Sequence, residues 1–101
     1  SPTTLYKDYA ISMDLFHWES QSMTTERSET GQRYINQRRS GKNVMLFVRE
    51  RKQHDGRTMP YLCLGLADYV QHRGERPIAI TYKLRQPMPP DFFAEAKAVA
   101  G

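Results

Sequence analysis

YLCLGLADYVQHRGERPIAITYKL, residues 61–84, holds two strand-like runs separated by one polar, turn-prone segment. Leu62, Leu64 and Leu66 recur at period two, as do Ile78, Ile80, Tyr82 and Leu84. A strand puts alternate side chains on one face, so each run defines an apolar face. Between them, QHRGERP offers Gly74, free to take a positive φ, and Pro77 at a strand start, where its missing N–H costs least. The spacing predicts an antiparallel hairpin with a long tip. That tip carries His72, Arg73 and Arg76, so the hairpin is expected to present a cationic loop.

Working outward, VMLFV at 44–48 is an unbroken apolar run of the kind found in a central strand covered on both faces. Asp55-Gly56 marks a reversal that would join this run antiparallel to the strand at 61–67. Upstream, ESQSMTTERSETGQ at 19–32 is a polar loop, after which Ser28 or Thr30 can cap a short helix ending by Gly41. Gly31 is expected to weaken its first turn. Residues 5–21 have aromatic and branched side chains too irregular for a helix stripe and fit one or two strands, with a bulge near 14–16. Phe16 and Trp18 share one strand face, opposite Ile11, Met13 and Leu15. Either both faces are buried or one aromatic face is kept for a ligand. Downstream, QPMPPD is a proline-rich stop, and Pro90 or Asp91 opens an amphipathic helix that can lay Phe92, Ala96 and Val99 on the sheet.

The chain has 101 residues, of which 39% are hydrophobic and 26% charged. That suits one soluble domain with a single modest core. Residues 1–4 read as a disordered or vector-derived remnant and 5–101 as the domain. With no apolar run near membrane-spanning length, no signal-like start and one cysteine, the expected location is the cytoplasm, without membrane partners. Cys63 reads as buried, inert filler. The formal charge of +4 is uneven: residues 33–57 hold eight basic and two acidic side chains, giving +6 there and −2 elsewhere. Such local excess is expected of a face that meets phosphates or another polyanion.

Catalytic constellations are weaker. Pro90-Asp91 with Glu95-Ala96-Lys97 superficially matches a metal-dependent nuclease pattern, but these residues fall within two turns of one helix, whereas Mg²⁺ needs converging carboxylates. His17, His54 and His72 lack zinc-site spacing, and no glycine-rich phosphate loop is present. His17, between Phe16 and Trp18, reads as a packed strand histidine. The reading is therefore of a module with no catalytic residues, no metal and no cofactor. Its positive signal is aromatic and cationic: Phe16, Trp18, Tyr34, Tyr69 and Tyr82 with the arginines, since aromatic rings stack on bases and Arg forks clamp phosphates. A core of this size needs at least three of those five rings.

FHWESQ at 16–21, the element from Thr30-Gly31 to Tyr34, VMLFVRE at 44–50 and LGLADYVQHRGERPIAITYKL at 64–84 together resemble a family. It is the uncharacterised C-terminal domain that follows the helicase core in bacterial superfamily II DEAD/DEAH-type proteins, many of which also carry a phospholipase-D-like nuclease. The resemblance covers residues 5–100. It implies an isolated, non-catalytic recognition module of a helicase and nuclease machine of restriction or antiviral-defence type, monomeric by itself, whose partners are duplex DNA and the parent helicase and nuclease domains. By fold-level analogy, PUA-like and SRA-like barrels read modified bases in such a role. The expected fold is α+β: a twisted antiparallel sheet or open β-barrel of five to seven strands, with helices near 31–39 and 91–100. Expected DNA-binding residues are Arg33, Arg38, Arg39, Lys42, Arg51, Arg57, Arg73 and Arg76. Phe16, Trp18, Tyr69 and Tyr82 would line a pocket for modified DNA, either a methylated or hydroxymethylated base or a phosphorothioate. The alternative is a protein-interaction or autoregulatory module that docks on its own helicase core.

Overall fold

Residues 8–49 and 61–97 are described by the structure, a computed structural model. Five strands and two helices follow in the order β1 (Tyr9–Ser12), β2 (Leu15–Glu19), α1 (Glu29–Ile35), β3 (Val44–Arg49), β4 (Tyr61–Arg73), β5 (Ala79–Leu84) and α2 (Pro90–Ala96). The strands form one antiparallel sheet in the order β1-β2-β5-β4-β3. The fold is α+β. The sheet is open, with β1 and β3 as its edges, so the barrel alternative falls away.

β5 is the regular strand. Ile80, Tyr82 and Leu84 alternate inward and, with Ile78 just before them, are sealed in the core. Opposite them lie Phe16 and Trp18 of β2 on one side and Ala67, Tyr69 and His72 of β4 on the other. Both helices add to this cluster, α2 through Phe92 and Ala96, α1 through Tyr34 and Ile35. Trp18 meets Tyr34 and Tyr82 edge-on, with ring centroids 5.1 and 6.1 Å apart. The helices therefore cover one face of the sheet, as expected for a sheet with one buried side. Prolines 87, 89 and 90 break the chain before α2, and Pro90 takes the first helical position, where no N–H is needed.

The hairpin of β4 and β5 forms as the period-two spacing predicts, but β4 is longer and less regular. It runs to Arg73, so the tip is shorter than QHRGERP. Leu46 pairs with Gly65 and Phe47 with Cys63, which leaves Leu64 as an extra residue in β4. Gly65 sits at φ 87°, a left-handed conformation that only glycine adopts freely, and so permits the bulge. The extra residue inverts the alternation: Leu62 and Leu64 face the core before it, Ala67 and Tyr69 after it. Leu66, expected beside Leu64, pairs with Met45 on the other face. A second irregularity turns Val70 outward and returns His72 to the side of Ile80.

Two further expectations are corrected. VMLFV is not a central strand; β3 is an edge whose Val44, Leu46 and Val48 face the core while Met45 and Phe47 are each 53% exposed. Neither α1 nor α2 covers that side, so a continuous apolar run here does not mean double burial. Cys63 is exposed rather than buried, because it lies opposite Phe47 on the same bare face. The Asp55-Gly56 reversal and Val99 lie outside the described residues.

Leu64→Ala is expected to lower the free energy of unfolding by about 2–5 kcal/mol in urea denaturation, while Met45→Ala changes it by less than about 0.5 kcal/mol. A Cβ at Gly65 would meet open space. Gly65→Ala should therefore cost only the left-handed backbone penalty, about 1–2 kcal/mol, and Gly65→Asn less.

Candidate nucleic-acid interface

The 24–27 loop, α1 and the tip of the β4–β5 hairpin are built as one unit. Ser28 caps α1: its Oγ accepts the Gly31 N–H at 2.9 Å and donates to the Thr25 carbonyl at 2.8 Å. Gly31 does not merely weaken the helix. A Cβ there would stand 2.0 Å from the Thr25 carbonyl oxygen and 3.1 Å from Ile78 Cδ1, so only glycine lets the helix close onto the loop and the sheet. On the other side of the loop, Arg76, at φ 57°, donates its N–H to the Thr24 carbonyl at 2.8 Å. Glu75 Oε1 accepts the Glu26 N–H at 2.9 Å.

These contacts enclose a cleft of about 580 Å³ lined by Thr25, Glu26, Arg27, Gly74, Glu75 and Arg76. Beside it, Tyr69 Oη lies 2.6 Å from His72 Nδ1, and His72 Nε2 lies 3.6 Å from Glu26 Oε1. Burial, helped by the Glu26 charge, raises the Tyr69 phenol above its ordinary pKa, so this group stays a neutral hydrogen-bonding phenol. The hairpin tip is thus not the purely cationic loop its own sequence suggests. Arg73 and Arg76 are exposed, but Glu26 and Glu75 stand at the same place because the 24–27 loop folds against the tip.

The basic surface continues along α1 and its exit. Arg27, Arg33, Arg38, Arg39 and Lys42 are all exposed. The chain leaves α1 through Gln37, which is buried: its amide donates to the Lys42 carbonyl, and its Oε1 accepts the Tyr69 N–H at 2.8 Å. That bond fixes the basic turn against β4 just beyond Ala67, where the β3 pairing stops. None of these five cations is in an ion pair with a described residue. Lys83 and Arg85, by contrast, are paired with Asp14 and Asp68. Arg51 and Arg57 lie outside the described residues.

The proposed aromatic pocket is not assembled. Phe16 and Tyr82 are 1% and 2% exposed, locked in the core by β2–β5 pairing, and offer no face to a ligand. Trp18, Tyr34 and Tyr69 are half-buried and pack against the same cluster. Arg27, Thr25, Glu26 and Glu75 were not singled out by the sequence pattern. The signal for Arg27 is its place directly before the Ser28 cap, which holds it at the helix entrance. His17 is a packed strand histidine as read: it stacks on Tyr9 at 4.4 Å and hydrogen-bonds Glu19 at 3.1 Å. Among the described residues no three His, Cys, Asp or Glu side chains converge to hold a metal, and no helix is long and apolar enough to cross a membrane.

Together these features define an α+β domain with an open antiparallel sheet and a basic surface that follows one helix from loop to exit. The chain belongs to the family described as Domain of unknown function (DUF3427), which matches residues 1–96. No curated protein and no solved structure matches it significantly.

The Arg85 guanidinium donates to both Asp68 oxygens, at 3.2 and 3.1 Å, and this hydrogen bonding holds the Asp68 carboxyl below its ordinary pKa. A depressed carboxylate stabilises the fold above its unfolded-state pKa, about 3.9, and loses that contribution as pH falls through its folded value. The stability difference between the wild type and Arg85→Ala should therefore be constant from pH 6 to 7 and shrink below about pH 4, measured by urea denaturation at each pH.

Proposed function

We propose that this domain is a non-catalytic recognition module that grips duplex DNA. The observation that carries this reading is the set of exposed cations on one unit that form no ion pair with a described residue: Arg27 and Arg76 at the cleft, then Arg33, Arg38, Arg39 and Lys42 along α1 and its exit. Phosphates attract Lys and Arg whatever the base sequence, and cations already neutralised by carboxylates contribute less. The α1 side is thus better suited to a polyanion than the part of the surface where Lys83 and Arg85 are paired. A rigid mounting helps: Ser28, Gly31 and Gln37 hold the segment against the sheet, so little ordering is needed on binding. The resemblance to a domain that follows a helicase core supports the same reading, with the module orienting a larger DNA-processing machine.

Selection of modified DNA belongs to this proposal in an altered form. With Phe16 and Tyr82 in the core, an aromatic cage is replaced by the polar cleft at the hairpin tip. Glu26 and Glu75 are acceptors suited to exocyclic amino groups of a base, and Arg27 and Arg76 are suited to its phosphate.

Binding of a 20-base-pair duplex to the whole chain, measured by fluorescence anisotropy, should weaken with salt. A log–log slope of about −3 to −5 is expected for three to five phosphate contacts. Arg38→Glu with Arg39→Glu should reduce its magnitude by about 2, whereas Lys83→Gln should leave it unchanged. No binding in 20 mM salt would defeat the proposal. In competition against unmodified duplex, preference of at least tenfold for 5-methylcytosine, 5-hydroxymethylcytosine, N6-methyladenine or phosphorothioate, lost in Arg76→Ala, would establish a reader. Equal affinities would leave a general grip.

A further inference from the structure

The two edges of the sheet are finished differently. At β1, α2 packs nearby and Lys97 forms an isolated parallel bridge with Ala10, so the chain itself meets that edge at one point. At β3, no described residue pairs on the side away from β4. An exposed strand edge presents backbone N–H and C=O groups that demand partners, and proteins commonly blunt such edges with proline, a mid-strand charge or a bulge in the edge strand. Val44-Met45-Leu46-Phe47-Val48 has no proline and no charge, and its irregularity lies in β4 instead. On the face beside the edge, Met45, Phe47 and Cys63 are exposed next to half-buried Leu66. A clustered apolar surface of this kind marks an interaction site.

We infer that the edge of β3 away from β4, unpaired by any described residue, docks an extended segment of another protein, apolar at alternate positions and acidic at its ends. Strand addition supplies the missing backbone hydrogen bonds, and side chains at every second position of the added strand lie beside Met45 and Phe47. Charge selects the occupant. Lys42 precedes the strand and Arg49 closes it, with Arg38 and Arg39 exposed just upstream. Antiparallel pairing with a second copy would bring two such basic ends together, which is unfavourable, whereas acidic ends are complementary to them.

The test titrates the whole chain with a ten-residue synthetic peptide that alternates Val and Thr between paired Glu residues at either end. Amide exchange should slow at least tenfold across residues 44–48 at saturation. Affinity should fall at least fivefold for a composition-matched scramble, for a version with Lys at both ends, and for Phe47→Glu. Because Phe47 is exposed and is not one of the cations of the DNA reading, Phe47→Glu should leave duplex binding within twofold, so the two proposals can fail separately. Equal binding of the scramble would overturn the inference, as would unchanged exchange in β3. Dimerisation that Phe47→Glu abolishes, without a peptide effect, would make the occupant a second copy. Slowing of the same amides by a single-stranded oligonucleotide, and not by the peptide, would make it a nucleic acid.

Discussion

Everything in this domain depends on the pairing of β5. It is the last of the described strands and the middle one in the sheet: β2 lies on one side, β4 on the other. The hairpin of β1 and β2 and the hairpin of β3 and β4 share no ladder with each other and are joined only through it. Leu15 pairs with Lys83 and Glu19 with Ala79, so the contact that completes the sheet closes loops of about sixty residues or more. Such closure is entropically costly before it is rewarded. The reward is concentrated where the chain needs it, in the near-complete burial of Ile78, Ile80, Tyr82 and Leu84 between Phe16 and Ala67.

The sequence is most legible where the backbone is regular. The alternation of Ile80, Tyr82 and Leu84 leads directly to β5 because no extra residue interrupts it. Ser28 and Pro90 announce the starts of both helices because capping is a local hydrogen-bond problem. β4 is less legible, since two irregularities change which parity points inward, and a pattern read at constant period assigns Leu66 to the wrong face. β3 misleads for another reason. An apolar run records affinity for cover but not which cover is present, and here neither helix reaches the side of Met45 and Phe47.

The candidate site was legible only in part, for the same physical reason. Charge density along the chain points to Arg33, Arg38, Arg39 and Lys42, and these are exposed and form no ion pair with a described residue. The cleft could not be read this way. It unites residues 25–27 with 74–76, brought together by bonds donated by the backbone N–H groups of Arg76 and Glu26, neither of which leaves a trace in composition. Aromatic content was equally ambiguous. In a chain this small, rings that could stack on a ligand are drawn first into the core, and Phe16 and Tyr82 went there.

The approach of Gly31 to the Thr25 carbonyl makes the cleft wall and the helix a single mechanical body. Thr25 lines the cleft, Ser28 binds it, and Gly31 leaves no slack between them. Further along the same segment, Gln37 is bonded to Tyr69 and anchors the far end on β4. The segment is thus held at both ends, at the hairpin tip through Glu75 and Arg76 and beside the end of β3 through Gln37. One continuous set of contacts therefore places every residue from the cleft wall at Thr25 to the turn after α1, so the cleft and the basic surface share a single scaffold.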